Sequence, residues 1–366
     1  MENRGGAILP IAVFVHLGPK LPNHLLLNLQ RHADLFPHIE TVLIVDHVHS
    51  ENIPDSIQRY FFRESKEDIE LFENMEKYSD FKFRNGFWKY TFLRLFALGD
   101  FHRSKNDQAI LHIESDVILM PNIPWEKFGL IKEIAWMRVN EINDVAALVY
   151  SPGSTETKYF VDSIRRYAFE DPKTTDMFSM IRFVRENENR HTYLPSITSD
   201  RSRDIFSMRS QQDSMVEYFG GYFDPLALGL WYFGQDPKNT YGVTTRYVDQ
   251  THHDYFAPNA GLTLENNQLF DTSGIEVFAL HVHSKDLAIF GPEWRSSLSK
   301  VLSDARKGRN QKSFAFPSFI DSLRDRSLRA HLWIIMAHLP GISYFGKLSY
   351  LTKIKNYLKK FFRIEF

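Results

Sequence analysis

An α/β fold with a mostly parallel sheet flanked by helices is what this sequence predicts, on three observations. Short apolar runs alternate with helical stretches through residues 1–150. Several runs, such as Thr41–Val45, are apolar at nearly every position, as strands covered on both faces must be. The runs close on turn-forming or acidic residues, at Gly18-Pro19, Asp46 and Glu114. Ligands of such sheets bind beyond the carboxyl ends of the strands. That rule singles out His16-Leu17-Gly18, Asp46-His47 and Glu114-Ser115-Asp116.

The elements follow in order. Ile11–Leu17 reads as a first strand, because the run Ala7–Leu17 holds Pro10 and His16 and no small-residue cleavage pattern follows it, which argues against a signal peptide. Asn23–Leu35 sets Leu25, Leu26, Leu29 and His32 at helical spacing. Thr41–Val45 is a strand, and Asp55–Tyr78 is charged and helix-permissive. Phe87–Leu98 places Trp88, Phe92, Leu95 and Phe96 on one helical face. Ala109–Ile113, Glu133–Val139 and Ala146–Tyr150 read as further strands. Ser151 to Gly274 is less regular and reads as loops and short helices over the active face. Phe278–His283 is a late strand, Glu293–Lys307 a helix, and Gly308–Ser313 a polar linker before a basic tail.

Bulk composition bounds the function classes. Hydrophobic residues make up 43% of the 366, so the chain buries a large core. A formal charge of −1 offers no global field for a polyanion, and nucleic acid is not expected as a partner. The absence of cysteine excludes disulfides, thiolate chemistry and Cys-ligated zinc, and agrees with a cytoplasmic location. The longest apolar stretch near the C-terminus, Leu332–Leu339, is far short of the roughly 20 residues of a membrane span.

The segment Leu111-His112-Ile113-Glu114-Ser115-Asp116-Val117-Ile118-Leu119 carries the chemistry. Two carboxylates interrupt an apolar run at positions i and i+2, which share a face if the strand continues. Both then address one hard divalent cation, Mn²⁺ or Mg²⁺, with phosphate oxygens completing its shell. The bland alternative is a strand-end turn with solvated acids.

This segment resembles the GT-A glycosyltransferases, and in part the glycogenin-like ones. The shared pattern is an apolar strand, an acid-x-Asp motif, apolar residues, then Asn122-Ile123 with Trp125 and Phe128 beyond. The preceding Thr91–Leu98 stretch is similar to the segment that carries a basic donor-contacting residue, here Arg94. Leu280-His281-Val282-His283-Ser284-Lys285 resembles the late His…Lys element in which a His ligates the metal and a Lys meets the diphosphate, which implies His283 and Lys285. Glu114 departs from the Asp usual at its position. Asp176 before Leu194-Pro195, and Asp224 and Asp236 before prolines, lie in passages similar to bacterial polysaccharide-type enzymes, on the acceptor side; an N-cap for Asp176 and turn chemistry for the other two are the plain readings.

The resemblance implies a GT-A Rossmann-like sheet with a C-terminal helical tail, divided as residues 1–150 for nucleotide-sugar binding, 151–307 for the acceptor side, and 308–366 for linker and tail. It implies transfer of a sugar from a nucleoside-diphosphate sugar, UDP-sugar foremost, to a glycan or lipid-linked acceptor, assisted by Mn²⁺ or Mg²⁺. Glu114, Asp116 and His283 are its metal residues. His16, Gly18, Asp46, Arg94, Ser115 and Lys285 are its donor residues. In an inverting reaction Asp176, Asp224 or Asp236 is the base; a retaining one needs none. A sugar-nucleotide-forming nucleotidyltransferase would want a Gly-rich turn where Gly18-Pro19-Lys20 has one glycine. A non-catalytic scaffold on the same core is the third reading.

The tail from Lys347 to Phe366 sets Leu351, Ile354, Leu358 and Phe361 on one helical stripe flanked by Lys347, Lys353, Lys355, Lys359, Lys360 and Arg363. Such a helix lies in the headgroup plane of an anionic membrane, or else packs on protein. The first option places the protein peripherally on the inner face of the cell membrane.

Overall fold

The computed structural model describes residues 9–49, 51–78, 86–105, 107–140, 143–196, 209–233 and 261–306. The basic tail and Asp236 lie outside them. The described residues form two sheets with helices on both sides of the larger one. Strands β1 (Ile11–His16), β2 (Thr41–Val45), β3 (Ile57–Phe61), β4 (Ile110–Ile113), β6 (Ile134–Asn140), β7 (Asn143–Ser151) and β8 (His191–Tyr193) make a seven-stranded sheet in the order β3-β2-β1-β4-β7-β6-β8. Only β7 runs against its neighbours; the β1–β2, β2–β3, β1–β4 and β6–β8 pairs are all parallel.

Alternation explains the continuous apolar runs. Ile11 and Val13 of β1 and Val42 and Ile44 of β2 enter one core, with α2 (Lys66–Glu76), α3 (Phe87–Arg103), α5 (Ser154–Glu170) and α6 (Asp176–Glu186). Ala12 and Phe14, and Leu43 and Val45, enter the opposite core with α1 (Asn23–Leu35) and α4 (Trp125–Phe128). Both faces of β1 and β2 are therefore dry, and their polar residues, His16 and Thr41, lie at strand ends.

The second sheet pairs β5 (Val117–Leu119), β10 (Thr263–Glu265), β11 (Gln268–Phe270) and β12 (Glu276–His281), in the order β10-β11-β12-β5, with β9 (Gly221–Phe223) on the other side of β12. It carries its own core against α8 (Ala227–Phe233), a 3₁₀ turn at Leu287–Phe290 and α9 (Trp294–Arg306). α7 (Arg209–Phe219) leads into β9. Arg31 of α1 donates to the Leu119 carbonyl at 3.3 Å and lies 4.7 Å from the Trp294 ring centroid, tying the small sheet to α1.

Three expectations need correction. The acid pair does not share the face of a continuing strand: β4 ends at Ile113, as the sequence reads, and belongs to the large sheet, β5 belongs to the small one, and Glu114-Ser115-Asp116 is the turn between them, closed by Val117 N–H on the Glu114 carbonyl at 3.0 Å. The stretch Asp55–Tyr78 opens with β3, an edge strand whose Gln58 and Arg59 are exposed, so its pattern was mostly polar. Residues 151–274 hold the 17-residue α5 and the 11-residue α6. The buried stripe Phe160, Val161, Ile164, Tyr167, Ala168 has the helical period and was legible in the sequence.

Candidate functional site: an acid turn between two sheets

Three strand ends converge on the acid turn. β5 starts where β12 ends, because the two are antiparallel with His281 opposite Val117. β9 runs parallel to β12 and ends beside it, with Ala279 opposite Phe223. Val282 N–H donates to the Asp116 carbonyl at 2.8 Å and extends the pairing past the strand. The result brings Glu114, Asp116 and His281 together, one potential ligand atom from each lying within 4.8 Å of the others. His281 Nε2 is 3.6 Å from Asp116 Oδ1 and 3.8 Å from Glu114 Oε2.

Helix α1 clamps the turn from below. Asn28 Nδ2 donates to the carbonyls of Ser115 at 3.1 Å and Val117 at 2.8 Å, and His24 Nε2 hydrogen-bonds Ser115 Oγ at 3.2 Å. Sequence reasoning missed Asn28. The signal was a polar residue inside the buried stripe Leu25, Asn28, Leu29, His32. A buried amide in such a stripe is there to satisfy backbone groups.

Arg94 of α3 braces the turn from the other side. Its Nη1 pairs with Glu114 Oε1, and its Nη2 lies 3.4 Å from Asp176 Oδ2. Glu114 Oε2 is the oxygen turned towards His281. Burial opposes the guanidinium charge, but Glu114 and Asp176 outweigh it and raise the Arg94 pKa. Asp176 is the first residue of α6, and the capping hydroxyl belongs to Thr175, which accepts from Phe178 N–H at 3.3 Å. Burial raises the Asp176 pKa against the pull of Arg94.

The histidine carries a second proton in this arrangement. Burial alone would lower its pKa, yet Asp116 and then Glu114 hold the imidazolium and push it up to about 9. Burial likewise opposes ionisation of Asp116 and Glu114. His281 outweighs it at Asp116 and Arg94 at Glu114, so both pKa values are lowered, that of Asp116 far below the usual range. His283 and Lys285 also lower the Asp116 pKa, so both lie within electrostatic reach. Lys285 sits at φ +61°, on a turn whose N–H donates to the Val282 carbonyl at 2.8 Å. The resemblance implies His283 as the metal residue, but the strand ends at His281, and among the described residues the ring nitrogen that joins the acid group is that of His281.

The other predicted residues fall in two places. At the ends of β1 and β2, Asp46 Oδ1 accepts from Gly18 N–H and from His47 Nδ1, both at 2.7 Å. Gly18 has φ +139°, a region that suits glycine, so the turn after β1 depends on it. His16 stands 6.0 Å, ring to ring, from the buried His49, and burial lowers its pKa. Beside β12, Asp224 is 1% exposed, and among the described residues its hydrogen bonds come from the backbone N–H groups of Leu226, Leu228, Gly229 and His281. A carboxylate has about four lone-pair positions, and four donors fill them. Asp224 is thereby removed from the set of acids that reach an acceptor hydroxyl.

A group of two carboxylates and one imidazole suits a divalent cation of the Mn²⁺ class, and three protein ligands leave positions for other oxygens. The mutual repulsion of Glu114 and Asp116, which works against the lowering of the Glu114 pKa, is relieved by any positive charge between them. The residues present therefore fit such an ion.

No family model matches the chain, and no curated protein matches it in sequence. Solved structures similar to it include the PaToxG glycosyltransferase, at 13% identity over 49% of this chain and 69% of that one, with a TM-score of 0.34. The galactosyltransferase LgtC, solved with donor and acceptor sugar analogues, is 11% identical over 55% of this chain and 82% of its own, with a TM-score of 0.35. The glycosyltransferase GlyE of Streptococcus pneumoniae TIGR4 is 12% identical over 82% of this chain and 64% of its own, with a TM-score of 0.38. At such scores the likeness bears on no residue of the site.

Proposed function

We propose that the chain is a GT-A-type glycosyltransferase that moves a sugar from a nucleoside-diphosphate sugar, a UDP-sugar foremost, to a glycan or lipid-linked acceptor. The observation that carries this reading is the convergence of Glu114, Asp116 and His281 at the carboxyl edge of the large sheet. A divalent cation held there supplies positive charge against the negative charge that develops on a departing nucleoside diphosphate.

Positive charge beside the acids supports an anionic substrate. Arg94 acts on Glu114 and Lys285 on Asp116. Exchanging the His281 proton for a doubly charged ion would add one positive charge to the group, which favours a diphosphate beside it. In this reading Arg94 holds Glu114 in place with one hydrogen bond and adds its field to the donor site, and Lys285 contributes from the β12 side. The Gly18 turn and Asp46 with His16 receive the nucleoside, and Ser115 lies under the donor. Asp176 and Asp236 remain the acids proposed for the acceptor.

A panel of nucleotide sugars, assayed for release of nucleoside diphosphate with Mn²⁺ and with chelator, tests the reading. Turnover of at least one UDP-sugar that chelator stops is the expected result. Consumption of a nucleoside triphosphate and a sugar phosphate instead would identify a nucleotidyltransferase, and silence in both assays a binding scaffold.

No helix among the described residues is long and apolar enough to cross a membrane. Association with a membrane surface is proposed from the tail sequence alone, each basic residue near an anionic surface contributing about 1 kcal/mol. The full chain is expected to float with vesicles rich in anionic lipid at low salt, and a chain cut before residue 328 is expected not to. Equal behaviour of the two would make the tail a packing element.

A further inference from the structure

We infer that the Asp224-Pro225 turn is a positioning element: it fixes the His281 ring so that Nε2 faces the acid pair, although neither Asp224 nor Pro225 belongs to the ligand group of Glu114, Asp116 and His281. The inference rests on the reading of Glu114, Asp116 and His281 as a cation site. It adds what decides whether that site is ready to bind.

The turn follows directly from the pairing of β9 with β12. Asp224 N–H donates to the Ala279 carbonyl at 3.1 Å, so the chain leaves β9 alongside the last residues of β12. There the Asp224 carboxylate gathers four backbone N–H groups from two pieces of chain. Oδ1 accepts from Leu226 at 3.1 Å and Leu228 at 3.0 Å, which bend the chain into α8. Oδ2 accepts from Gly229 at 2.7 Å and from His281 at 3.3 Å, which joins that bend to the strand end. One anion thus fixes the Pro225 carbonyl and the His281 backbone relative to each other.

The Pro225 carbonyl then sets the ring. It accepts from His281 Nδ1 at 2.7 Å, the shortest hydrogen bond this side chain makes. With a proton held on Nδ1, Nε2 is the ring atom left to face Asp116 Oδ1 and Glu114 Oε2. A histidine meets a cation through a neutral ring whose other nitrogen keeps its proton, and loss of the partner that holds that proton typically weakens binding about ten- to a hundredfold. His281 is 5% exposed, so water is a poor substitute for the carbonyl.

Asp224→Asn separates this role from simple packing. The amide keeps the shape, but its NH₂ group would face N–H donors where the carboxylate accepted two of them. Two readouts apply, both on the full chain. In metal-free protein labelled with ¹⁵N-histidine, His281 Nδ1–H is expected as a slowly exchanging resonance, assigned by its absence in His281→Gln. It should be lost or fast-exchanging in Asp224→Asn. By electron paramagnetic resonance, Mn²⁺ should bind Asp224→Asn about ten- to a hundredfold more weakly than the wild type, while Tyr193→Phe, remote from the turn, binds it normally. Should Asp224→Asn fail to fold, the wild-type resonance decides alone: slow exchange supports the positioning role, and free exchange overturns it. Equal Mn²⁺ affinity, or a retained resonance in folded Asp224→Asn, also overturns it. If the wild type binds no Mn²⁺ but shows the protected proton that Asp224→Asn loses, the cation reading falls and the positioning role stands.

Discussion

Replacing Asp116 by alanine is expected to abolish specific Mn²⁺ binding and to lower nucleotide-sugar turnover on the order of a thousandfold, with the fold retained. The fold is retained because the turn is held through backbone groups: Asn28 bonds the Ser115 and Val117 carbonyls, and Val282 N–H bonds the Asp116 carbonyl. The same variant has a second signature without metal. His281 is raised to about 9 chiefly by Asp116, so its proton stabilises the folded protein fully below the ordinary histidine value of 6.5. That stability is lost as pH rises through 9, since only there does the folded state release the proton. The melting temperature of the metal-free wild type should therefore fall between pH 6.5 and 9, and that slope should shrink in Asp116→Ala. Full turnover in the variant, or an unchanged slope, would count against the assignment of Asp116.

How much of this was legible in the sequence depends on which forces wrote each part. β1, β2 and β4 are buried on both faces, and a strand with two dry faces has no choice but a continuous apolar run. The acid pair stood out because it broke one. β3 did not stand out: an edge strand with polar residues on its open face reads like the charged stretch around it. The end of β4 at Glu114 is readable in the sequence, but the change of sheet beyond it is not, for a different reason. β4 and β5 are each apolar, and nothing in the residues says that they belong to different sheets. That information lies in the long-range pairing of β5 with β12, more than 150 residues away. The choice between His281 and His283 turned on the same point, since both share a face as long as the strand is taken to continue. Asp224 was noticed as an acid before proline. Its part in holding His281 required knowing that β9 and β12 are neighbours, which no local pattern encodes.

Gly229→Ala is expected to destabilise the protein strongly, against what helix propensity alone predicts. Gly229 lies in α8 with no positive φ, and alanine in a helix is favoured over glycine by about 1 kcal/mol. Space reverses the sign. A methyl at Gly229 would overlap the His281 carbonyl oxygen and sit 2.5 Å from its carbon, and both belong to the backbone of a fully paired strand. No side chain can swing aside, so α8 must move off β12, and the bonds of Asp224 to Leu228, Gly229 and His281 stretch with it. Overpacking of this kind costs about 1–3 kcal/mol where side chains yield, and a contact between backbones belongs at or beyond the upper end. The net loss of about 2 kcal/mol or more corresponds to a fall in melting temperature on the order of 5 °C. Mn²⁺ affinity should drop in the same variant, because the strand end that carries His281 is what the methyl pushes against. A melting temperature equal to or above that of the wild type would mean that α8 does not rest on β12 at His281.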